Sequence, residues 1–115
     1  MKRVKLFKKP WGGFKQFILN KKCTVKIITV KPRGVLSLQI HKKRSEQWYF
    51  LTDGLVQIGN KKKIIKKGSQ ITIKKNVAHR LFAQSKQVQV LEIAQGHFDK
   101  NDIIRLEDNY GRVNT

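Results

Sequence analysis

Gln39-Ile40-His41-Lys42-Lys43-Arg44-Ser45-Glu46 is the stretch on which the fold of this 115-residue chain turns. Side chains two apart on a β-strand share a face, so an extended reading points Gln39 and His41 the same way. A short turn then brings Glu46 back towards them, and His79 arrives from a second strand pair. The result is one amide, one carboxylate and two imidazoles converging on a single point. Such a mixed nitrogen and oxygen set suits a divalent cation.

On both sides of this stretch, short apolar-alternating runs occupy 14–19, 23–30, 35–40, 48–52, 55–58, 63–66, 70–73, 79–83 and 88–93. Turn signals separate them: Asn20, the pair Pro32 and Gly34, Asp53-Gly54, Gly59-Asn60, Gly68 and Ser85. Strands at such regular spacing predict a sandwich or barrel. Asp53-Gly54 and Gly59-Asn60 read as hairpin turns, since both dipeptides accept positive φ. The tail over 99–105 reads as one helical turn capped by Asp99 or Asn101.

Bulk properties agree with a single domain over 1–115, long enough to bury one core without staples. Cys23 is alone, which excludes a disulfide framework and suits a reducing compartment. No apolar stretch has the length of a signal peptide or a membrane span, so the expectation is a cytoplasmic protein with no membrane partner. The net charge of +19 has two readings. It suits an anionic partner, nucleic acid included. Yet the basic residues are spread along the whole chain, which favours a solvated surface that also attracts anionic substrates. Trp11 and Trp48 read as core or rim aromatics.

The motif spacing resembles that of the cupins. Their first metal motif appears as Arg33, five residues, Gln39-Ile40-His41, four residues, Glu46, six residues, Asp53. The second appears as Gly68, five residues, Lys74-Lys75-Asn76, two residues, His79. Ligand spacings are intact, while framework glycines and a proline are replaced. Asn76 is a sensible stand-in for glycine because asparagine tolerates left-handed geometry. Ala83 stands where asparagine is usual.

Within the cupins the chain is similar to the isomerase domain of type II mannose-6-phosphate isomerases, often fused to a mannose-1-phosphate guanylyltransferase. The matching runs are Lys9-Pro10-Trp11-Gly12, Leu36-Ser37-Leu38-Gln39, His41 with Arg44, Glu46 and Trp48, His79-Arg80, and Asp102-Ile103-Ile104-Arg105 through Asp108, Tyr110, Gly111 and Arg112. They cover about 9–113, and the 115 residues hold no nucleotidyltransferase domain. Lys43 replaces the family's second histidine, and Gln47 the histidine before tryptophan.

The resemblance implies an all-β fold, a cupin-type jelly-roll β-barrel. It also implies a divalent metal ion on Gln39, His41, Glu46 and His79, zinc first, with manganese, iron or nickel as alternatives. The implied chemistry is interconversion of mannose 6-phosphate and fructose 6-phosphate, in which a proton moves between C1 and C2. Glu92 and Lys43 are the candidates for the catalytic base. Arg44, Arg105 and Arg112 are candidate phosphate holders, because a guanidinium forks two hydrogen bonds onto neighbouring oxygens. Arg80, by strand alternation, points away from His79 and reads as structural. The partners expected are a phosphorylated sugar and a second copy of the chain, a homodimer that covers an edge strand. A cupin that binds sugar or nucleotide sugar without turnover is the alternative, and a basic nucleic-acid-binding barrel stands behind both.

Overall fold

The computed structural model describes residues 4–112. Eleven strands follow in chain order: β1 Lys5–Lys9, β2 Gly12–Gln16, β3 Thr24–Val30, β4 Leu38–Ile40, β5 Arg44–Phe50, β6 Gly54–Ile58, β7 Lys61–Ile65, β8 Gln70–Ile73, β9 His79–Phe82, β10 Val88–Gly96 and β11 Ile104–Glu107. There is no helix among the described residues. Strands β3-β10-β5-β8 form one sheet and β11-β4-β9-β6-β7 the other, while β1 and β2 pair only with each other. From β3 onward the chain changes sheet at every step except the β6–β7 hairpin. Antiparallel strands crossing back and forth between two facing sheets are the hallmark of a jelly roll, and the chain has the cupin fold that its motifs predict.

Alternation decides what faces inward. On β5 the inner positions are Arg44, Glu46, Trp48 and Phe50, all buried. On antiparallel β10 they are Ala94, Glu92, Val90 and Val88, set against Glu46, Trp48 and Phe50 in register. Both inner faces therefore run from polar to apolar in the same direction. At the apolar end Val30, Phe50, Val56, Leu81, Val88 and Val90 pack into the core. At the polar end the barrel carries charged groups inside, which require partners there.

Several expectations change. Asp53-Gly54 is not a hairpin turn: β5 and β6 lie in different sheets, and Gly54 has no positive φ. Its glycine is needed for space instead, since a Cβ there would sit 2.8 Å from Phe50 Cε2 and 3.2 Å from Val88 Cγ1. Gly59-Asn60 does turn the β6–β7 hairpin, with Gly59 at φ 58°. The 99–105 segment is not helical. The Asp102 amide donates to the Asp99 carbonyl at 2.9 Å in a single turn, and the chain then extends into β11, which pairs with β4. Pairing with a strand distant in sequence outweighs a local cap.

No apolar-alternating run predicts β1, and Trp11, at the tip of the β1–β2 hairpin, is 73% exposed, so it is not a core residue. Trp48, at 1%, is one. Asn76 has φ 65°, as its glycine-like position requires, and Arg33 at the other glycine position also has φ 65°. β3 is an edge strand of its sheet, and its Val25 and Ile27 are exposed.

Candidate metal centre and its cavity

The polar end of the barrel gathers His41, just after β4, Glu46 on β5 and His79 on β9. All three are buried, and one ligand atom from each lies within 4.8 Å of the others. His41 Nε2 is 3.6 Å from Glu46 Oε2, and His79 Nε2 is 3.5 Å from Glu46 Oε1. Zinc–nitrogen and zinc–oxygen bonds of about 2.1 Å place tetrahedral ligands roughly 3.4 Å apart, close to these spacings.

The imidazole tautomers follow from their other contacts. His41 Nδ1 lies 2.7 Å from the Asp102 carbonyl oxygen, and His79 Nδ1 lies 2.9 Å from the Val77 carbonyl oxygen. A carbonyl only accepts, so both Nδ1 atoms carry the hydrogen, and in the neutral rings both Nε2 lone pairs face Glu46. Lone pairs opposed at 3.5 Å call for a cation between them, either a proton on Nε2, through which His79 donates to Glu46, or a metal ion in its place. Backbone carbonyls that fix the far nitrogen of a histidine are also the usual support of a metal ligand.

Asp102 supports this end twice. Besides its carbonyl on His41, its carboxylate accepts the amides of Lys42 at 3.0 Å and Lys43 at 2.8 Å, which shapes the turn between β4 and β5. Slight burial works against its charge, but those two amide donors hold its carboxyl below the ordinary value. Gly96 opens this corner further. It is paired with Arg44 at φ 106°, and a Cβ there would meet the Lys43 carbonyl oxygen at 2.5 Å.

Burial would raise the Glu46 carboxyl, but bonding from His79, the neighbouring imidazoles and the Arg44 hydrogen bond lower it to about 2. Glu92 goes the other way. Burial first, then the Glu46 charge and a hydrogen bond to Glu46, push it up to about 7 against the pull of Lys26 and Arg44. The Trp48 indole N–H joins the two carboxyls, 3.3 Å from Glu46 Oε1 and 3.3 Å from Glu92 Oε1. Burial is also the main reason that His41 is lowered, so its neutral form is favoured.

Gln39, the fourth sequence candidate, pairs with His79 in register and is half-buried. Its amide nitrogen donates to the Ser37 carbonyl at 3.2 Å and to Ser37 Oγ at 3.1 Å. That orientation leaves Oε1 as the atom suited to a cation. Beside the centre lies a cavity of about 250 Å³ lined by Ser37, Gln39, Phe98 and five cationic side chains, Lys26, Arg44, Lys100, Arg105 and Arg112. All three predicted phosphate holders are thus brought to one cavity. Arg112 also binds Asp108 through Nε at 2.7 Å.

Neither candidate base lines the cavity: Lys43 is exposed to solvent, and Glu92 is buried next to Glu46. Arg80 takes the structural role expected, donating to the Leu36 carbonyl at 3.0 Å and to Glu107 at 3.2 Å. Sequence reasoning missed Asp102 as the support of His41, and Trp48 as the donor shared by two carboxyls. It also missed Lys26, although a signal existed: Lys26 alternates with Ile28 and Val30 on the inner face of β3, and pairs with Glu92.

The sequence over residues 2–108 matches the family described as "Mannose-6-phosphate isomerase C-terminal". The chain belongs to this family. Among curated relatives, the xanthan biosynthesis protein XanB of Xanthomonas campestris pv. campestris (strain B100) is 33% identical over 109 residues, covering 91% of this chain and 23% of that protein. The alginate biosynthesis protein AlgA of Pseudomonas aeruginosa is 34% identical over 109 residues, covering 91% of this chain and 22% of that protein. The chain therefore spans less than a quarter of the length of these relatives.

Solved structures share the fold at low identity. The capsular polysaccharide assembling protein CapF from Staphylococcus aureus superposes with a TM-score of 0.67 at 16% identity, over 94% of this chain and 34% of that one. Rru_A2000 from Rhodospirillum rubrum, a cupin-2 domain, gives 0.63 at 18% identity, over 84% and 72%. Family membership and fold agree with the motif reading.

Proposed function

We propose that this chain is a metal-dependent sugar-phosphate isomerase domain of the mannose-6-phosphate type. The observation that carries the reading is the contact of two unlike sites. An inward His–Glu–His set opens, through Arg44, onto a cavity whose charged lining residues are all cationic. Relatives named as mannose-1-phosphate guanylyltransferases and as xanthan and alginate biosynthesis proteins support a place in sugar-phosphate metabolism.

In this reading Gln39, His41, Glu46 and His79 hold the divalent ion, and zinc suits the nitrogen-rich part of the set. The ion supplies Lewis acidity to the carbonyl end of the sugar. Arg105, Arg112 and Lys100 bind the phosphate by charge-assisted hydrogen bonds, while Lys26 draws anions towards the cavity. Glu92 takes the proton from one carbon and returns it to the next. It is buried, it borders the metal ligands through Trp48, and Lys26 links it to the cavity wall. Lys43, in solvent, is left out of the chemistry.

The test is incubation of zinc- or manganese-loaded protein with mannose 6-phosphate in deuterium oxide, followed by NMR. Fructose 6-phosphate formation with solvent deuterium entering at C1 or C2 is expected. A Glu92→Gln variant should lose on the order of a hundredfold or more in rate, the scale of a general base, with metal content unchanged. Binding of the sugar phosphate without exchange would shift the reading to a cupin that holds sugars without turnover.

A further inference from the structure

We propose that Arg44 is the resident cation of the His41–Glu46–His79 centre, and that a divalent ion binds by turning its guanidinium away from His41 and Glu46 into the neighbouring cavity, where it keeps its seat on the face of Phe98. The inference rests on the divalent-ion reading above. It concerns what that ion must overcome.

The guanidinium is inserted where a metal would sit. Arg44 Nε donates to Glu46 Oε2 at 3.0 Å, and Arg44 Nη2 lies 3.2 Å from His41 Nε2. His41 Nδ1 already carries its hydrogen for the Asp102 carbonyl, so Nε2 is the acceptor and Arg44 is the donor. An imidazole nitrogen has one in-plane lone pair. It cannot accept the Arg44 hydrogen bond and coordinate a metal at the same time. Occupation by arginine and by metal at His41 is therefore mutually exclusive.

Arg44 fills the place incompletely. It reaches Glu46 Oε2 and His41 Nε2, but Glu46 Oε1 and His79 Nε2 face each other at 3.5 Å on the far side. A single arginine neutralises one charge, whereas a divalent ion would engage all three ligands and bring two charges. The site is thus held together without metal, yet a sufficiently tight ion gains contacts that the arginine cannot make.

The exit is already prepared. The Arg44 guanidinium carbon stands 4.3 Å from the Phe98 ring centroid, and Nη1 donates to the Asp99 carbonyl at 3.3 Å. Phe98 and Arg44 both line that cavity. Turning about the terminal torsions would release His41 and Glu46 while keeping the stack on Phe98, a favourable seat for a guanidinium. The displaced side chain would add its donors to the cavity wall.

The test measures metal affinity and the position of Arg44 separately. Apparent zinc and manganese dissociation constants of wild type and Arg44→Met are obtained by competition with a chromogenic chelator. Methionine keeps a stem on Phe98 and removes the competing donors. Arg44→Met should bind each ion at least tenfold more tightly. In wild type, the Arg44 Nε–H resonance in a ¹⁵N correlation spectrum should move from a carboxylate-bonded position when zinc is added, with saturation at one equivalent. Equal or weaker metal binding by Arg44→Met, or a resonance that zinc leaves unmoved while zinc binds, would overturn the displacement and leave the metal site standing. Failure of wild type and variant alike to bind any ion would remove both readings.

Discussion

One strand carries two chemistries. The outer half of β5 presents Arg44 and Glu46 to the barrel interior, and the inner half presents Trp48 and Phe50. The paired strand β10 repeats the division, with Glu92 at one end and Val90 and Val88 at the other, and β9 of the other sheet does so with His79 and Leu81. The apolar end stabilises by burial alone, because nothing there needs a specific partner. The polar end holds buried charge that is tolerable only while each group keeps its neighbour. Apolar packing and buried charge are thus divided along one strand, with Trp48 as the join: its ring lies in the core and its N–H lies between two carboxyls.

If the two ends act separately, cutting each should have different consequences. Phe50→Ala empties a fully buried position and should cost about 3–5 kcal/mol by denaturant titration. The stabilisation by added metal should survive it. Loss of metal binding together with stability would show that the two ends do not act separately.

At the polar end, metal is the larger lever. An ion bound only to the native state at a hundred times its dissociation constant adds about 2.7 kcal/mol, or roughly 10 °C in melting temperature for a domain of this size. Chelator should remove that gain, His41→Ala and His79→Ala should each abolish most of it, and Gln39→Ala should weaken it. Identical zinc shifts in wild type and His41→Ala would exclude the site.

How much of this contrast was legible in the sequence depends on range. His41, Glu46 and His79 are betrayed by spacing, because side chains that meet at one point must stand at fixed positions on strands that bring the same side inward. The cupin fold follows from the same spacing. The β1 and β11 strands were not legible, since what makes them strands is pairing, and for β11 the partner is a β4 more than sixty residues away. Asp53-Gly54 misled for a related reason: its dipeptide permits a hairpin, but the glycine is there to clear Phe50 and Val88. Asp102 supports His41 largely through its backbone carbonyl, an atom every residue has, so no residue type announces that role.

Acidity separates the two carboxyls of the metal-stripped protein. Glu92 rises from 4.5 to about 7 on folding, so the native state holds its proton more firmly. Its contribution is complete below pH 4.5 and is lost as pH climbs from there through about 7. Glu46 falls from 4.5 to about 2, so its contribution is present above pH 4.5 and is lost as pH drops towards 2. Glu92→Gln keeps an acceptor for Trp48 and a donor for Glu46. Its melting temperature relative to wild type should therefore climb by several degrees between pH 4.5 and 7 and then level off. A constant difference across that window would refute the assigned shift.

The smallest stability effect is expected at Lys26, where the polar end meets solvent. Its ammonium lies 3.5 Å from Glu92 Oε2 and 4.2 Å from the Phe98 ring centroid, and its side chain is 44% exposed. Water screens a pair of this kind, so Lys26→Met should change stability by less than about 1 kcal/mol, and added salt should shrink even that. Ligand binding should respond more strongly, because Lys26 lines the same cavity as Arg105 and Arg112. Affinity for mannose 6-phosphate should fall severalfold at low salt while affinity for mannose stays level, since only the phosphate offers the charge that Lys26 attracts. Calorimetry on the two sugars at two salt concentrations separates these outcomes. If both affinities fell together, Lys26 would be shaping the cavity rather than drawing an anion into it, and the phosphate would have to lie elsewhere.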